Sequence, residues 1–221
     1  MSSHDVVQEA LRVLDADSEV LVRPTSKFHC SGVIPYCICG TLVYFLLGRT
    51  RNGKMLSFTG KSELISHNLY EAPATTAARE FYEESLGCVL SYDQCIAATQ
   101  ACDKNSVLVS TTPKNTLCYT FLVCVPFKRH YSLNFVRTRD FLSFINVHEA
   151  HLAEFQEIKG VCFETLNKIR YSWQSSGMSM TECQWNKIRA LLPVIEDNVS
   201  HGLMDWRLRD EDDDIKYGTP P

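Results

Sequence analysis

Apolar positions recur along the chain in two periods, and the changes from one period to the other mark its elements. Gly32-Val33-Ile34-Pro35 and Tyr36-Cys37-Ile38-Cys39, then Thr41 to Leu47, are rich in β-branched, aromatic and cysteine residues and predict two strands joined by a turn at Gly40. A basic loop follows, Gly48-Arg49-Thr50-Arg51-Asn52-Gly53-Lys54, and Leu56-Ser57-Phe58-Thr59 then reads as a strand running into a Gly60-Lys61 turn. Next the period becomes helical. Pro73 stands where a first turn tolerates it, the alanines after it favour helix, and Gly87 supplies the residue on which helices commonly end. The spacing predicts a helix from Pro73 to Leu86 that buries Ala74, Ala77, Ala78 and Phe81.

Beyond that helix, Cys95 to Ala101, Val107 to Thr112 and Thr116 to Phe127 predict the remaining strands, separated by Asp103-Lys104-Asn105 and Thr112-Pro113-Lys114-Asn115. Lys128 to Asn146, dense in basic and aromatic residues, predicts a loop and a short helix. Thr181 to Ile195 carries Trp185, Ile188, Leu191, Leu192 and Ile195 at helical spacing and predicts a core helix, bent or ended near Pro193. Val6 to Leu14 predicts an amphipathic helix capped by Asp5. The resulting organisation is a helical extension over 1–30, one domain over 31–200, and an acidic tail over 201–221 expected to be disordered.

Composition narrows the picture. A chain of 221 residues can bury one good core, and a net charge of −4 leaves any affinity for a polyanion to a local patch. No apolar run approaches the roughly 18 residues of a membrane span. The polar start Ser2-Ser3-His4-Asp5 lacks a signal-peptide pattern, so a cytoplasmic protein with no membrane partner is expected. Most of the ten cysteines lie in apolar runs, where free thiols serve as small hydrophobes.

The chemistry concentrates on the predicted Pro73 helix. Glu80, Glu83 and Glu84 are spaced i, i+3, i+4 and project from one side, where like charges repel. One reading is a solvated acidic face with Arg79 as partner. The other is a site for a hard divalent cation, Mg²⁺ or Mn²⁺, which prefers carboxylate oxygens and usually bridges them to substrate phosphates. Arg49 and Arg51 likewise have two readings: bidentate contacts to substrate phosphates, or an exposed turn kept soluble.

Glu71, then seven residues, then Arg79-Glu80-Phe81-x-Glu83-Glu84 resembles the signature of the Nudix hydrolases, G-x(5)-E-x(7)-R-E-U-x-E-E-x-G-U with U apolar. Leu56 to Lys61 is similar to the strand and glycine turn that lead into that signature. Two departures stand out: ten residues instead of five separate Gly60 from Glu71, and the closing glycine comes one place late, in Ser85-Leu86-Gly87. The resemblance implies an α/β fold, an α/β/α sandwich around a mixed sheet with the signature as loop-helix-loop. It also implies metal-dependent hydrolysis of a nucleoside diphosphate linked to another group.

On that resemblance, Glu80, Glu83 and Glu84 would hold Mg²⁺ or Mn²⁺. Glu83, or a loop or late-strand glutamate, would take the proton of the attacking water, and Glu71 and Arg79 would lock the loop to the helix. Glu154 or Glu157 would add a late carboxylate, and Arg49, Arg51, Gly60 and Lys61 would meet the substrate. A small-molecule nucleotide is the expected partner. Two alternatives remain open: a decapping enzyme acting on 5′-capped RNA, which the basic and aromatic Lys128 to Arg139 segment suits, and a nucleotide-binding module without turnover.

Overall fold

The strand Cys30–Cys39 (β1) is buried along nearly its whole length, and the rest of the sheet is assembled on its two edges. A strand covered on both faces reads as a continuous apolar run instead of an alternating one, which is why Gly32 to Cys39 shows no polar partner face. The computed structural model describes residues 18–39, 42–145, 158–174 and 180–200. The expected helix over Val6 to Leu14, the Gly40 turn, Glu154 and Glu157, and the acidic tail lie outside the described residues.

Antiparallel to β1 runs Leu42–Thr50 (β2), paired over Tyr36↔Phe45 to Cys39↔Leu42. Past that point the short strands Met55–Leu56 (β3) and Phe58–Lys61 (β4) join in: β3 bonds to β2 at Gly48↔Leu56, and β4 bonds to β1 at Val33↔Phe58 to Cys30↔Lys61. One edge of β1 is thus shared between β2 and β4. The other edge carries Leu117–Cys124 (β8), parallel to β1, and beyond it the antiparallel Val107–Thr111 (β7). Ile158–Thr165 (β9) pairs antiparallel with β2 and completes a mixed seven-stranded sheet. Leu64–Ser66 (β5) and Leu69–Tyr70 (β6) form a separate two-stranded hairpin, turned at Asn68 with φ 58°.

Helices cover both faces. On one, Pro73–Glu84 (α1), Tyr92–Gln100 (α2) and Tyr131–Phe144 (α3) pack Ala74, Ala77, Ala78, Phe81, Cys95 and Phe135 against Val33, Leu46, Phe58 and Phe121. On the other, Leu166–Gln174 (α4) and Glu182–Ser200 (α5) set Ile169, Trp185, Ile188, Leu191 and Ile195 against Ile34, Tyr36, Phe45 and Leu47. The chain is therefore a mixed α/β protein. No helix among the described residues is long and apolar enough to cross a membrane.

The expected burial of Ala74, Ala77, Ala78 and Phe81 is observed in full. The expected strand from Cys95 to Ala101 is instead the end of the helix Tyr92–Gln100, with Ala101 as its C-cap. Ser91 and Gln94 form a capping box, with the Ser91 hydroxyl accepting from the Gln94 backbone N–H at 3.3 Å and the Gln94 side-chain Oε1 accepting from the Ser91 N–H at 2.9 Å. Pro193 lies inside α5 without ending it: Ile188 and Leu191 before it and Ile195 after it are anchored in one core, offsetting the roughly 3 kcal/mol of an internal proline. Thr50 also belongs to β2, so the basic turn is shorter than the sequence suggests. Part of the expected extension packs into the domain: Leu21 is buried in the α1 core, and Thr25 exchanges backbone hydrogen bonds with Tyr70 at 3.1 and 2.8 Å.

Phe81 is fully buried, its ring 5.0 Å from that of Phe58. Phe81→Ala should cost about 3–5 kcal/mol by urea unfolding, because it opens a cavity between α1 and β4. A loss under about 1 kcal/mol would contradict that docking.

Candidate active site

Three pieces of backbone converge at the start of α1: the end of β4, the β5–β6 hairpin, and Glu71 itself. The hairpin uses the residues by which this chain exceeds the Nudix-like spacing, and it closes on Glu71. The Glu71 N–H donates to the Glu63 carbonyl at 2.9 Å, and its carboxylate accepts from the Glu63 N–H at 3.0 Å. Thr76, in the first turns of α1, donates its hydroxyl to the same carboxylate at 3.1 Å. Pro73 at the start of the helix lacks an N–H that would otherwise need a partner there.

Arg79 spends every arm of its guanidinium on this assembly. Its Nε donates to both Glu71 oxygens at 3.1 and 3.3 Å, and its Nη2 donates to Glu71 Oε2 at 3.0 Å and to the Lys61 carbonyl at 2.8 Å. Its Nη1 donates to Glu80 Oε1 at 2.9 Å and to Glu83 Oε2 at 3.0 Å. Only 12% of the side chain is exposed. One cation therefore holds three carboxylates together, and the expected Glu71–Arg79 pair is observed.

Glu80 and Glu84 reach across to β4. The Thr59 N–H donates to Glu84 Oε2 at 2.8 Å. Gly60 has no side chain because Glu80 occupies that space: a Cβ placed there would collide with the Glu80 carboxyl carbon and with both of its oxygens. Here glycine is required by close approach, not by its φ.

The shared electrostatics drive neighbouring groups in opposite directions. Burial works to raise the Glu71 pKa, but hydrogen bonds from Arg79, the Glu63 N–H and Thr76, together with the Arg79 charge, more than offset it, and the carboxyl is held below its ordinary value. For Glu80 burial prevails over Arg79, with the Glu83 and Glu71 charges adding to it, and its pKa is raised. Burial opposes the Arg79 charge, but its bond to Glu71 and the charges of Glu80, Glu71 and Glu83 push its pKa above the ordinary value.

Glu80, Glu83 and Glu84 offer only hard oxygen donors, the set that Mg²⁺ and Mn²⁺ take. Among the described residues no three or more His, Cys, Asp or Glu side chains form a ready metal cage. Two of the carboxylates converge on Arg79 Nη1 instead. A positive group thus already sits where two of these oxygens meet, and each carboxylate has about four lone-pair sites, so one bond to Arg79 leaves capacity for a metal. The donor chemistry fits a hard cation.

The remaining sequence candidates are placed differently. Lys61 enters the site through its carbonyl, its side chain being exposed, and Arg51 lies in the exposed turn after β2. Arg49 lies 3.8 Å from Glu164, a buried carboxylate on β9 that also pairs with Lys168 at 2.7 Å. Glu164 is registered opposite Phe45, and Arg49 shares the parity of Phe45 and Leu47, so this cluster belongs to the α4–α5 face, away from α1.

Two residues to which the sequence assigns no role here emerge, Thr76 and His29. His29 is buried with Nδ1 3.2 Å from the Lys27 carbonyl, which can only accept, so Nδ1 bears the proton; Nε2 lies 3.4 Å from the Thr76 hydroxyl. Burial lowers the His29 pKa, against smaller opposing effects of the Lys27 carbonyl and Glu71. The polar Thr-Thr pair inside an alanine run is the one sequence signal for Thr76.

No protein-family model matches this chain, and no curated protein matches it.

Gly60→Ala should expel the Glu80 carboxylate and lower stability by about 1–3 kcal/mol, read by thermal or urea unfolding; an unchanged midpoint would show that Glu80 does not lie over Gly60. The Glu71 carboxyl has a depressed pKa in the folded chain. Its stabilisation is therefore present above the unfolded value near 4.5 and lost as pH falls through the lower folded value. Between about pH 5 and pH 3 wild type should lose more stability than Glu71→Gln does. Parallel pH curves for the two proteins would remove the Glu71–Arg79 pair as a source of acid lability.

Proposed function

We propose that the chain is a metal-dependent hydrolase of the Nudix type, cleaving the pyrophosphate linkage of a nucleoside diphosphate joined to another group. The observation that carries this reading is the shared guanidinium: Arg79 gathers Glu71, Glu80 and Glu83 within 3.1 Å while Thr59 and Gly60 receive Glu84 and Glu80. Loop, strand end and helix are thereby fixed as one rim of carboxylates, at the spacings that the Nudix signature demands.

Glu80, Glu83 and Glu84 would hold Mg²⁺ or Mn²⁺. A metal so held supplies neutralisation of the pyrophosphate charge and a lowered pKa for the attacking water. Glu83, whose side chain is 38% exposed against 14% for Glu80, is the more open of the two to water and takes its proton. The water oxygen bonds to one phosphorus, the bridging P–O bond breaks, and the bridging oxygen leaves with the other phosphate. Arg79 keeps Glu80 and Glu83 from being driven apart before substrate arrives. Glu71 anchors Arg79 and takes no part in proton transfer, since its depressed pKa and four donors make it a poor base.

A second reading, hydrolysis of 5′-capped RNA, is favoured by α3. That helix exposes Leu133, Arg137, Phe141 and Phe144 at i, i+4, i+8 and i+11, a stripe on which bases stack and a phosphate pairs. Uncapped RNA should then inhibit turnover, whereas a hydrolase of small nucleotides should be indifferent to it.

The decisive experiment is a mass-spectrometric screen of nucleotides, dinucleotide cofactors, sugar nucleotides, diphosphoinositides and a short capped RNA, with Mg²⁺ and with Mn²⁺, wild type beside Glu83→Gln. A product that needs both metal and Glu83 is expected, with Glu83→Gln at least about 100-fold slower and normally folded. Turnover that survives the substitution, or no product from any compound, would overturn the reading.

A further inference from the structure

Helix α1 ends in a way that its carboxylates do not explain. The Gly87 N–H donates to the Tyr82 carbonyl at 2.8 Å and the Leu86 N–H donates to the Glu83 carbonyl at 3.0 Å, the bond pair of a Schellman motif. Glycine is usual at the first left-handed position of that motif. Here Leu86 occupies it with φ 55°, and Gly87 follows with φ 63°. A bulky residue in this region is strained, and such strain persists only where the surroundings impose it.

The displaced glycine makes room for a ring. A Cβ on Gly87 would lie 2.8 Å from Tyr82 Cε2 and 3.3 Å from its hydroxyl, so the Tyr82 ring is laid across the Gly87 backbone. Against it stands Tyr92, edge to face, with centroids 5.7 Å apart and planes at 71°. Tyr92 is itself fixed as the first residue of α2, directly after the Ser91 capping box. Both rings are pinned, yet 38% of Tyr82 and 40% of Tyr92 remain exposed. Two held aromatic rings open to water are rigid contact surfaces that a flat ligand can cover at little entropic cost.

Their position relates them to the carboxylate rim. Tyr82 lies three residues after Arg79, so the two are neighbours on the helix surface, and Arg79 in turn holds Glu80 and Glu83. Burial raises the Tyr92 phenol pKa, and the charge of Glu71, against that of Arg79, and the charge of Glu83 are felt there too.

We infer that Tyr82 and Tyr92 form a nucleobase-binding corner, stacking the base of the substrate on their open faces while its pyrophosphate lies at the carboxylates of α1. This assignment rests on the pyrophosphate reading above and extends it to substrate class. It explains why the helix-ending glycine is shifted one place from the Nudix-like position at the expense of a strained Leu86.

The test is equilibrium binding, by titration calorimetry with Mg²⁺, of α,β-methylene-ADP and of methylenediphosphonate, which lacks base and sugar. The proteins are wild type and the single variants Tyr82→Leu, Tyr82→Phe, Tyr92→Leu and Tyr92→Phe, each checked by thermal melting. Each leucine variant should weaken the nucleotide by about 5- to 100-fold, and each phenylalanine variant by no more than about 2-fold; methylenediphosphonate should change by no more than about 2-fold in all four. Equal losses with leucine and phenylalanine, equal losses for both probes, unchanged affinity, or no nucleotide binding by wild type would each overturn the corner. Failure of methylenediphosphonate alone to bind wild type would instead strike the pyrophosphate reading, and the leucine-to-phenylalanine contrast with the nucleotide would still decide the corner.

Discussion

One guanidinium, that of Arg79, holds Glu71, Glu80 and Glu83 together. Glu80 Oε1 and Glu83 Oε2 both accept from Arg79 Nη1, so they lie at most about 6 Å apart, and at an effective dielectric near 20 their repulsion is about 3 kcal/mol. Arg79 offsets it at short range and at the same time ties in Glu71 and the Lys61 carbonyl. Helix, loop and strand end are thus coupled through a single side chain whose protonation cannot be lost in any physiological range. Its burial raises the stakes, because a partly desolvated ion that loses its partners carries its full desolvation cost.

The sheet sets where that cluster can form. Because β4 pairs with the first half of β1 and β2 with the second, the end of β4 is carried under α1, and Phe58 and Phe81 pack where strand and helix cross. The polar consequence follows one residue along: Thr59 offers its N–H to Glu84, and Gly60 leaves space for Glu80. Apolar docking and carboxylate placement are therefore one arrangement seen from two sides of the same helix.

Much of this is legible in the sequence, for identifiable reasons. α1 declares itself through Pro73, its alanine period and Phe81, and the i, i+3, i+4 spacing of the glutamates is enough to put three carboxylates on one side. α2 reads instead as a strand, because Cys95, Ile96 and Ala97 look like one when weighed by hydrophobicity alone; Ser91-x-x-Gln94 carries the contrary signal. α3 is longer than the sequence suggests because it bears aromatics all round, Tyr131 and Phe135 inward and Phe141 and Phe144 outward, which blurs the helical period. The place of Glu164 is not legible at all, since only the β2–β9 register says which face a strand carboxylate takes. The β5–β6 hairpin accounts for the long Gly60–Glu71 interval, but nothing local in Ile65 to Leu69 announces that its turn will close on Glu71.

Glu71 and Glu80 share a partner, yet their pKa values are displaced in opposite directions, and the difference follows from the donors each is given. Glu71 receives a backbone N–H, a hydroxyl and two guanidinium nitrogens, enough to reverse the effect of its burial. Glu80 has one bond to Arg79 and two like-charged neighbours, so burial prevails and its ionised form is held at a cost. Groups kept ionised against their surroundings are the ones that gain most from a further positive charge. A cation arriving at this rim would bind where the fold leaves charge under-compensated, at Glu80 and its neighbours, and would leave the satisfied Glu71 undisturbed. The two carboxylates, nine residues apart, are thus distinguished by the number of donors each is given.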